Sequence, residues 1–316
     1  MEVIVSNTHG DWLKSREGGI GSSEVGTLLG LNPYETPYQL WLRKTGQVVT
    51  VEQENFLMKA GHYLEDAISR FYADEAGVEI VKSSAREFVV VDKEKPFMRV
   101  SPDRYGFPVG AKKTNDNKMI IECKSTQKLV TYDDIPKTWF VQLMYQLYVC
   151  RINHGALAWL ISGREFGYRD FEHDADFTAW LVQEVARFWT DCIIGGKEPA
   201  LVNVKDVLLK YPKSVIGKTV EATGEIYDRW LELKETNAEI KRLQKIKEEA
   251  EETIKMAMGD AETLITPVEA KTIATWKSGK KDSEKFDKDA FAAENPELYS
   301  KYIVTAPAAR RFYCKD

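Results

Sequence analysis

The sequence predicts a mixed α/β fold, a small sheet of a few strands flanked by helices, on three observations. Apolar residues recur at helical spacing over 53–76. Short Val- and Phe-rich runs follow at 79–81, 86–91, 97–101 and 118–124. Helical spacing returns over 136–150, ahead of an apolar strand at 155–162. Helices on either side of a strand cluster bury the sheet between layers. The 316 residues, 43% hydrophobic and 29% charged, suffice for one large domain or two smaller ones.

Taken in order, residues 1–50 read as a cap followed by helices. Ser22 or Ser23 precedes the run Val25 to Gly30, with a turn at Asn32-Pro33-Tyr34; Thr36-Pro37 starts a second helix that ends at Gly46. In the 53–76 helix, Phe56, Leu57, Ala60, Leu64, Ala67, Ile68 and Phe71 form the apolar stripe. Residues 104–117 read as a polar Gly/Pro/Asn loop between strands. A helix over 174–194 carries Trp180, Leu181, Val185, Phe188 and Trp189. Composition turns loop-like over 195–223, which divides the chain into a core of 1–200 and an extension of 201–316. The extension opens on a long charged helix, 224–258, whose apolar residues recur at threes, fours and sevens; it suits packing on the body or a partner as well as a solvated helix with one buried stripe. The tail reads as strands plus a short helix and ends in the basic-aromatic run Arg310-Arg311-Phe312-Tyr313.

Composition excludes several classes. Aromatics reach 11%, against a disordered chain. No stretch approaches the roughly 18 apolar residues of a membrane span, and Met1-Glu2-Val3-Ile4 lacks the basic start of a signal peptide. Four scattered Cys form no CxxC, so a disulfide framework and a zinc finger are not expected, and a reducing cytoplasm is. A net charge of −5 argues against bulk coating of nucleic acid but leaves room for a local basic groove.

The chemistry gathers at Ser101-Pro102-Asp103 and Glu122-Cys123-Lys124. Side chains alternate along a strand, so Glu122 and Lys124 share one face while Ile121 and Cys123 turn to the core. Asp103 ends the preceding strand, and the loop can return the chain beside it. Two adjacent carboxylates disfavour each other's ionisation, and a hard divalent cation relieves that repulsion. A nearby lysine can orient or help deprotonate an attacking water. The plainer alternative is a β-hairpin with a surface Glu–Lys pair. Glu65 borders an apolar helix stripe, where a carboxylate needs a partner or a metal, or is simply solvated. Gln142 and Gln146 share a helix face, as a polar edge or as amides that position the phosphate, the water or the lysine. Arg16 and the Gly-rich segment before Ser22-Ser23 form a donor set suited to an anion, or a capped helix start behind a loop. His62 and His154 are not needed as general bases.

Arg-x-x-x-Ile-x-x-Ser-Glu-Val, Gly-x-x-Leu-Glu, Ser-Pro-Asp, Glu-x-Lys and the aromatic-Gln helix occur in the order found in YqaJ-type viral recombinases. Over about residues 10–195 the chain thus resembles this family, which includes lambda exonuclease and lies within the PD-(D/E)xK nuclease superfamily. The resemblance implies a restriction-endonuclease-like core with a C-terminal long-helix extension. It implies that Asp103, Glu122 and the Cys123 backbone carbonyl bind Mg²⁺, with Mn²⁺ as substitute, that Lys124 activates water, and that Glu65 and Gln142 complete the site. Arg16, Ser23 and Ser101 would hold a 5′-phosphate. It further implies 5′-to-3′ digestion of one strand of linear duplex DNA, 3′ overhangs passed to a phage single-strand annealing protein, a homotrimeric ring around DNA, and action in the bacterial cytoplasm. One departure is Arg104, where the family usually has Gly: either the turn is gentler, or Arg104 reaches DNA while Gly106 supplies flexibility. The competing expectations are an endonuclease or nickase of the same fold, and a non-catalytic DNA-end-binding protein, against which the intact Asp103, Glu122 and Lys124 argue.

Overall fold

A computed structural model of the chain describes residues 1–6, 8–48, 56–81, 88–279, 286–304 and 309–314. The expected helix start at 53–55, the side chain of Leu57 and strand residues 86–87 lie outside the described residues. Two compact units divide at Lys210/Tyr211.

The first unit begins with a strand the sequence reading lacks, β1 (Glu2–Val5), then α1 (His9–Glu17), β2 (Ile20–Gly21), α2 (Ser22–Leu28) and α3 (Pro37–Lys44). Thr8 caps α1, and Thr36 caps α3 with Pro37 in the first turn, as a fixed φ without an N–H allows. Neither Ser22 nor Ser23 is a cap. Gly21 takes that position, the Glu24 carboxylate accepts its N–H at 2.8 Å, and both serines lie inside the first turn with their hydroxyls free for other work.

The long helix α4 (Phe56–Ala76) leads to β3 (Val78–Val81), β4 (Phe88–Val91), β5 (Met98–Val100), β6 (Arg104–Pro108) and β7 (Met119–Thr126). Helix α5 (Lys137–Cys150) then crosses to β8 (His154–Ile161), which lies parallel to β7, and β9 (Glu165–Glu172) returns antiparallel. The main sheet runs β3-β6-β7-β8-β9, and a smaller one runs β1-β4-β5-β2. The mixed α/β class stands. Strand β6, however, occupies residues expected to be loop: its Gly and Pro suggest a turn, but pairing with both β3 and β7 overrides that composition. Gly106 does not supply flexibility. A Cβ there would meet Val78 Cγ1 at 2.5 Å and Ile121 Cδ1 at 2.9 Å, so the position is glycine to let two apolar side chains close over it.

Alternation along β7 sets the two cores. Ile120 joins Leu143, Met144 and Leu147 beneath α5, whereas Ile121 and Cys123 join Ile68 and Tyr72 beneath α4. Tyr72 takes the buried place expected of Phe71, which is half exposed against Phe166. Helix α6 (Ala175–Arg187) continues into a π-helical turn, Phe188–Ile194, and α7 (Val204–Lys210) closes the unit. The buried Asp206 of α7 accepts from Thr36 Oγ1 and Gln39 Nε2, each at 2.8 Å, which ties residues beyond 200 to the core.

The second unit holds α8 (Gly224–Met258), the antiparallel pair β10 (Thr263–Ile265) and β11 (Thr272–Thr275), and two short helices, α9 (Lys288–Glu294) and α10 (Pro296–Tyr302). Along α8, Ile226, Ile240, Leu243 and Ile254 are exposed. Among the described residues no helix is long and apolar enough to cross a membrane.

Candidate active site

The centre of the sheet faces α5 with the two charged residues of β7, Glu122 and Lys124. Glu122 is 2% exposed, a costly place for a carboxylate unless every oxygen is met. Oε1 accepts from Lys124 Nζ at 2.6 Å and from Gln142 Nε2 at 2.5 Å; Oε2 accepts from Gln146 Nε2 at 2.8 Å. Lys124 Nζ also donates to Gln142 Oε1 at 2.9 Å. Gln142 therefore fixes the carboxylate and the ammonium together, which a four-residue spacing on α5 permits for both glutamines.

Asp103 sits in the short link between β5 and β6. The β6–β7 ladder ends at Arg104 opposite Ile121, which leaves the Cys123 N–H without a strand partner on that side. Asp103 Oδ2 accepts it at 2.8 Å. A residue's N–H and C=O point to the same side of a strand, so the Cys123 carbonyl faces the same edge. Burial raises the Asp103 carboxyl well above the ordinary aspartate range; the charges of Glu122 and Glu65 push it further, against Lys124 and the Cys123 N–H. Burial pulls the Lys124 ammonium down, but Glu122 and Asp103 outweigh it and leave the group above its usual value. The lysine is a proton-bearing donor in this arrangement. The Cys123 thiol points into the core and is pushed up by burial, then by Asp103 and Glu122.

Glu65 lies on α4, 3.0 Å from His62 Nδ1 and 3.8 Å from Arg104 NH1. Burial raises its carboxyl, opposed by His62 and Arg104 and supported by Glu122. Arg104 does not extend into solvent: its side chain is 17% exposed, and NH1 donates to the Asp103 carbonyl at 2.7 Å. Its φ is not positive, so the turn is the gentler one that a non-glycine residue tolerates.

On the other side of Glu122, Arg16 NH2 donates to Ser23 Oγ at 3.2 Å. Gln146 Nε2 reaches Ser22 Oγ at 3.3 Å as well as Glu122, so the start of α2 abuts the carboxylate cluster. The Gly-rich approach is shaped by packing. A Cβ on Gly19 would collide with the Phe97 carbonyl, to which Ile20 N donates at 2.7 Å. Ser101 stands apart from this group: its hydroxyl donates to the Phe88 carbonyl at 2.9 Å across the smaller sheet. The sequence does not show what two of these residues touch. Gln146 is marked by sharing a face with Gln142, not by its contact with Glu122. Glu24 lies in the Arg16-to-Val25 motif, but its salt bridges to Lys44 and Arg43, at 2.8 Å each, come from a helix that motif does not include.

A divalent cation fits the chemistry of this donor set. Asp103, Glu122 and a strand carbonyl are hard oxygen donors, and the carboxyls of Asp103 and Glu65, raised by burial first and by neighbouring carboxylates after it, are groups whose charged form a cation would favour. Among the described residues, no three His, Cys, Asp or Glu side chains form a ready cage. Lys124, Gln142 and Gln146 occupy the oxygens of Glu122 instead.

The profile of the YqaJ-like viral recombinase domain matches residues 11–153, a span that encloses every residue of the cluster. The chain is 30% identical over 331 residues to the uncharacterized protein YqaJ of Bacillus subtilis (strain 168), covering 100% of this chain and 98% of that protein. Similar solved structures include LHK-Exo, an alkaline exonuclease from Laribacter hongkongensis, at 15% identity and TM-score 0.44, covering 64% of this chain and 96% of that one. A phage related exonuclease from Haemophilus somnus 129PT is 11% identical with TM-score 0.39, covering 57% of this chain and 96% of that one.

Proposed function

This chain belongs to the YqaJ-like viral recombinase family, and we propose that it is a Mg²⁺-dependent exonuclease. It would degrade one strand of linear duplex DNA from the 5′ end and leave a 3′ overhang for phage recombination by strand annealing. The observation that carries the reading is the hydrogen-bonded set Glu122–Lys124–Gln142 beside the buried Asp103, whose carboxyl is raised by burial first and by Glu122 and Glu65 next. That set combines acidic ligands, a fixed cation and an amide in one place.

Asp103, Glu122 and the Cys123 carbonyl would hold the metal ion. The ion supplies Lewis-acid polarisation of the phosphoryl oxygen and cancels the crowding of carboxylates. Lys124 offers its N–H donors to the attacking water and to charge developing on the phosphoryl oxygens. Gln142 keeps the ammonium aimed, since its carbonyl oxygen takes one Lys124 hydrogen. Glu65 completes the acidic rim, and Arg104 holds the backbone of Asp103 in place. Arg16 and Ser23 would grip the terminal 5′-phosphate, a planar fork with a hydroxyl beside it; Ser101 would act through the strand link next to Asp103. Transfer of the exposed strand to a phage annealing protein, a trimeric ring around the duplex and action in the host cytoplasm belong to the same proposal.

The test uses linear duplex DNA labelled at one 5′ end, with and without the phosphate, beside a closed circle, in Mg²⁺, in Mn²⁺ and in EDTA. Mononucleotide released from the labelled end, only with metal, only from linear DNA and faster with the phosphate, is the expected result. Cutting of the circle makes the protein an endonuclease. End binding without cleavage in either metal makes it a non-catalytic end binder.

A further inference from the structure

Gln146 is fully buried, and its side-chain nitrogen is shared between two groups that serve different ends of the proposed reaction. One is Glu122 Oε2, at 2.8 Å. The other is Ser22 Oγ, at 3.3 Å, whose neighbour Ser23 takes the Arg16 guanidinium at 3.2 Å. Among the described residues, the amide oxygen has no hydrogen-bond partner. A buried acceptor left without a donor is unfavourable. An apolar side chain of similar shape would avoid that cost, so the amide is explained by its two N–H donors, one for each neighbour.

We infer that Gln146 is a positioning residue that couples occupancy of the Arg16–Ser23 pair to the metal-binding state of Glu122. An anion drawn to Arg16 shifts the guanidinium and Ser23, which it touches. Ser22 moves with its neighbour, and the Gln146 amide redistributes its hydrogens between Ser22 and Glu122. The carboxylate then accepts a cation more or less readily according to whether the end of the DNA carries a phosphate. By thermodynamic linkage the metal must change the affinity for the phosphate by the same factor. The inference rests on the reading of Arg16 and Ser23 as the end-phosphate pair.

The experiment measures binding, not turnover. A fluorescent duplex, with a 5′-phosphate or a 5′-hydroxyl, is titrated with the full-length protein in EDTA and at increasing Ca²⁺, a cation of the same oxygen-seeking class, and anisotropy gives the affinities. In the wild type, the phosphate is expected to change the apparent Ca²⁺ affinity by about fivefold or more, the lower edge of typical coupling. Gln146→Met keeps the volume and removes both N–H donors; its ratio is expected to fall below about twofold. Ser22→Ala, which cuts the link at its other end and leaves the Glu122 contact, should do the same and serves if the first variant fails to fold. Coupling that survives both substitutions overturns the inference and leaves the end-phosphate pair standing. A wild type that binds both ends equally in EDTA and in Ca²⁺ overturns both.

Discussion

Lys124 keeps its proton because Glu122 and Asp103 face it, which makes it a donor that orients rather than a free base. Lys124→Ala should lower the cleavage rate by about 10²–10⁴-fold, the usual weight of a proton-handling group, with end binding by anisotropy nearly unchanged; a wild-type rate would place the chemistry elsewhere. Asp103 makes a second prediction. Its carboxyl takes up a proton more readily in the folded chain than in the unfolded one. Stability present below the unfolded value is therefore lost as pH rises through the raised folded value, in the absence of metal. Asp103→Asn removes that loss. In EDTA at pH 7 the variant should be about 0.5–2 kcal/mol more stable than wild type by urea unfolding, with the gap closing toward pH 4 and cleavage abolished. A constant gap across that range would locate the strain in another group. Strand alternation was enough to put Glu122 and Lys124 on one face; Asp103 was expected beside them through a returning loop over 104–117, whereas it lies in the link between β5 and β6 and reaches Cys123 from there. The inward turn of Arg104 was not legible, because it depends on Glu65 and Asp66 of a helix some forty residues earlier.

Elements whose own residues carry a strong period were readable: α4, α5 and α8 lie within three residues of where apolar spacing puts them. Elements that exist only through their neighbours were not. Strand β2 has two residues and is held by pairing parallel to β5. Strand β9 alternates polar and aromatic side chains around Gly167, where a Cβ would strike the Trp159 ring, so its composition resembles a loop until β8 is beside it. The same closeness makes Gly19 a sensitive position. A methyl there meets the backbone of Phe97, which has little room to yield, unlike a flexible side chain. Gly19→Ala should cost about 1–3 kcal/mol in urea unfolding. Because Ile20 and Gly21 lead directly into Ser22 and Ser23, it should also weaken the preference for phosphorylated over hydroxyl ends. Gly30→Ala, at a positive φ with open space around it, gives the comparison: a stability loss from backbone conformation without a shift in end preference.

At the scale of the whole chain, every residue of the proposed site lies between Arg16 and Gln146, and the first compact unit extends to Lys210. Composition ends the core near 200, where Gly195-Gly196 and Pro199 read as a linker. That reading misses Asp206, since a single buried carboxylate leaves no periodic trace. Yet Asp206 satisfies Thr36 and Gln39 of α3 and accepts the Val202 N–H at 3.0 Å. A fragment of residues 1–210 should therefore unfold in one cooperative step and retain EDTA-sensitive cleavage of linear duplex. A fragment of residues 1–200 leaves the side chains of Thr36 and Gln39 without their acceptor and should be less stable by about 1.5–3 kcal/mol, the range for hydrogen bonds to a charged group. Asp206→Ala in the full chain separates the two causes: an equal loss assigns the difference to the carboxylate, and a small one assigns it to the rest of α7. If the 1–210 fragment folds but does not cleave, the unit bearing α8 contributes to catalysis or to holding DNA, and the exposed apolar residues Ile240, Leu243 and Ile254 become the first positions to substitute.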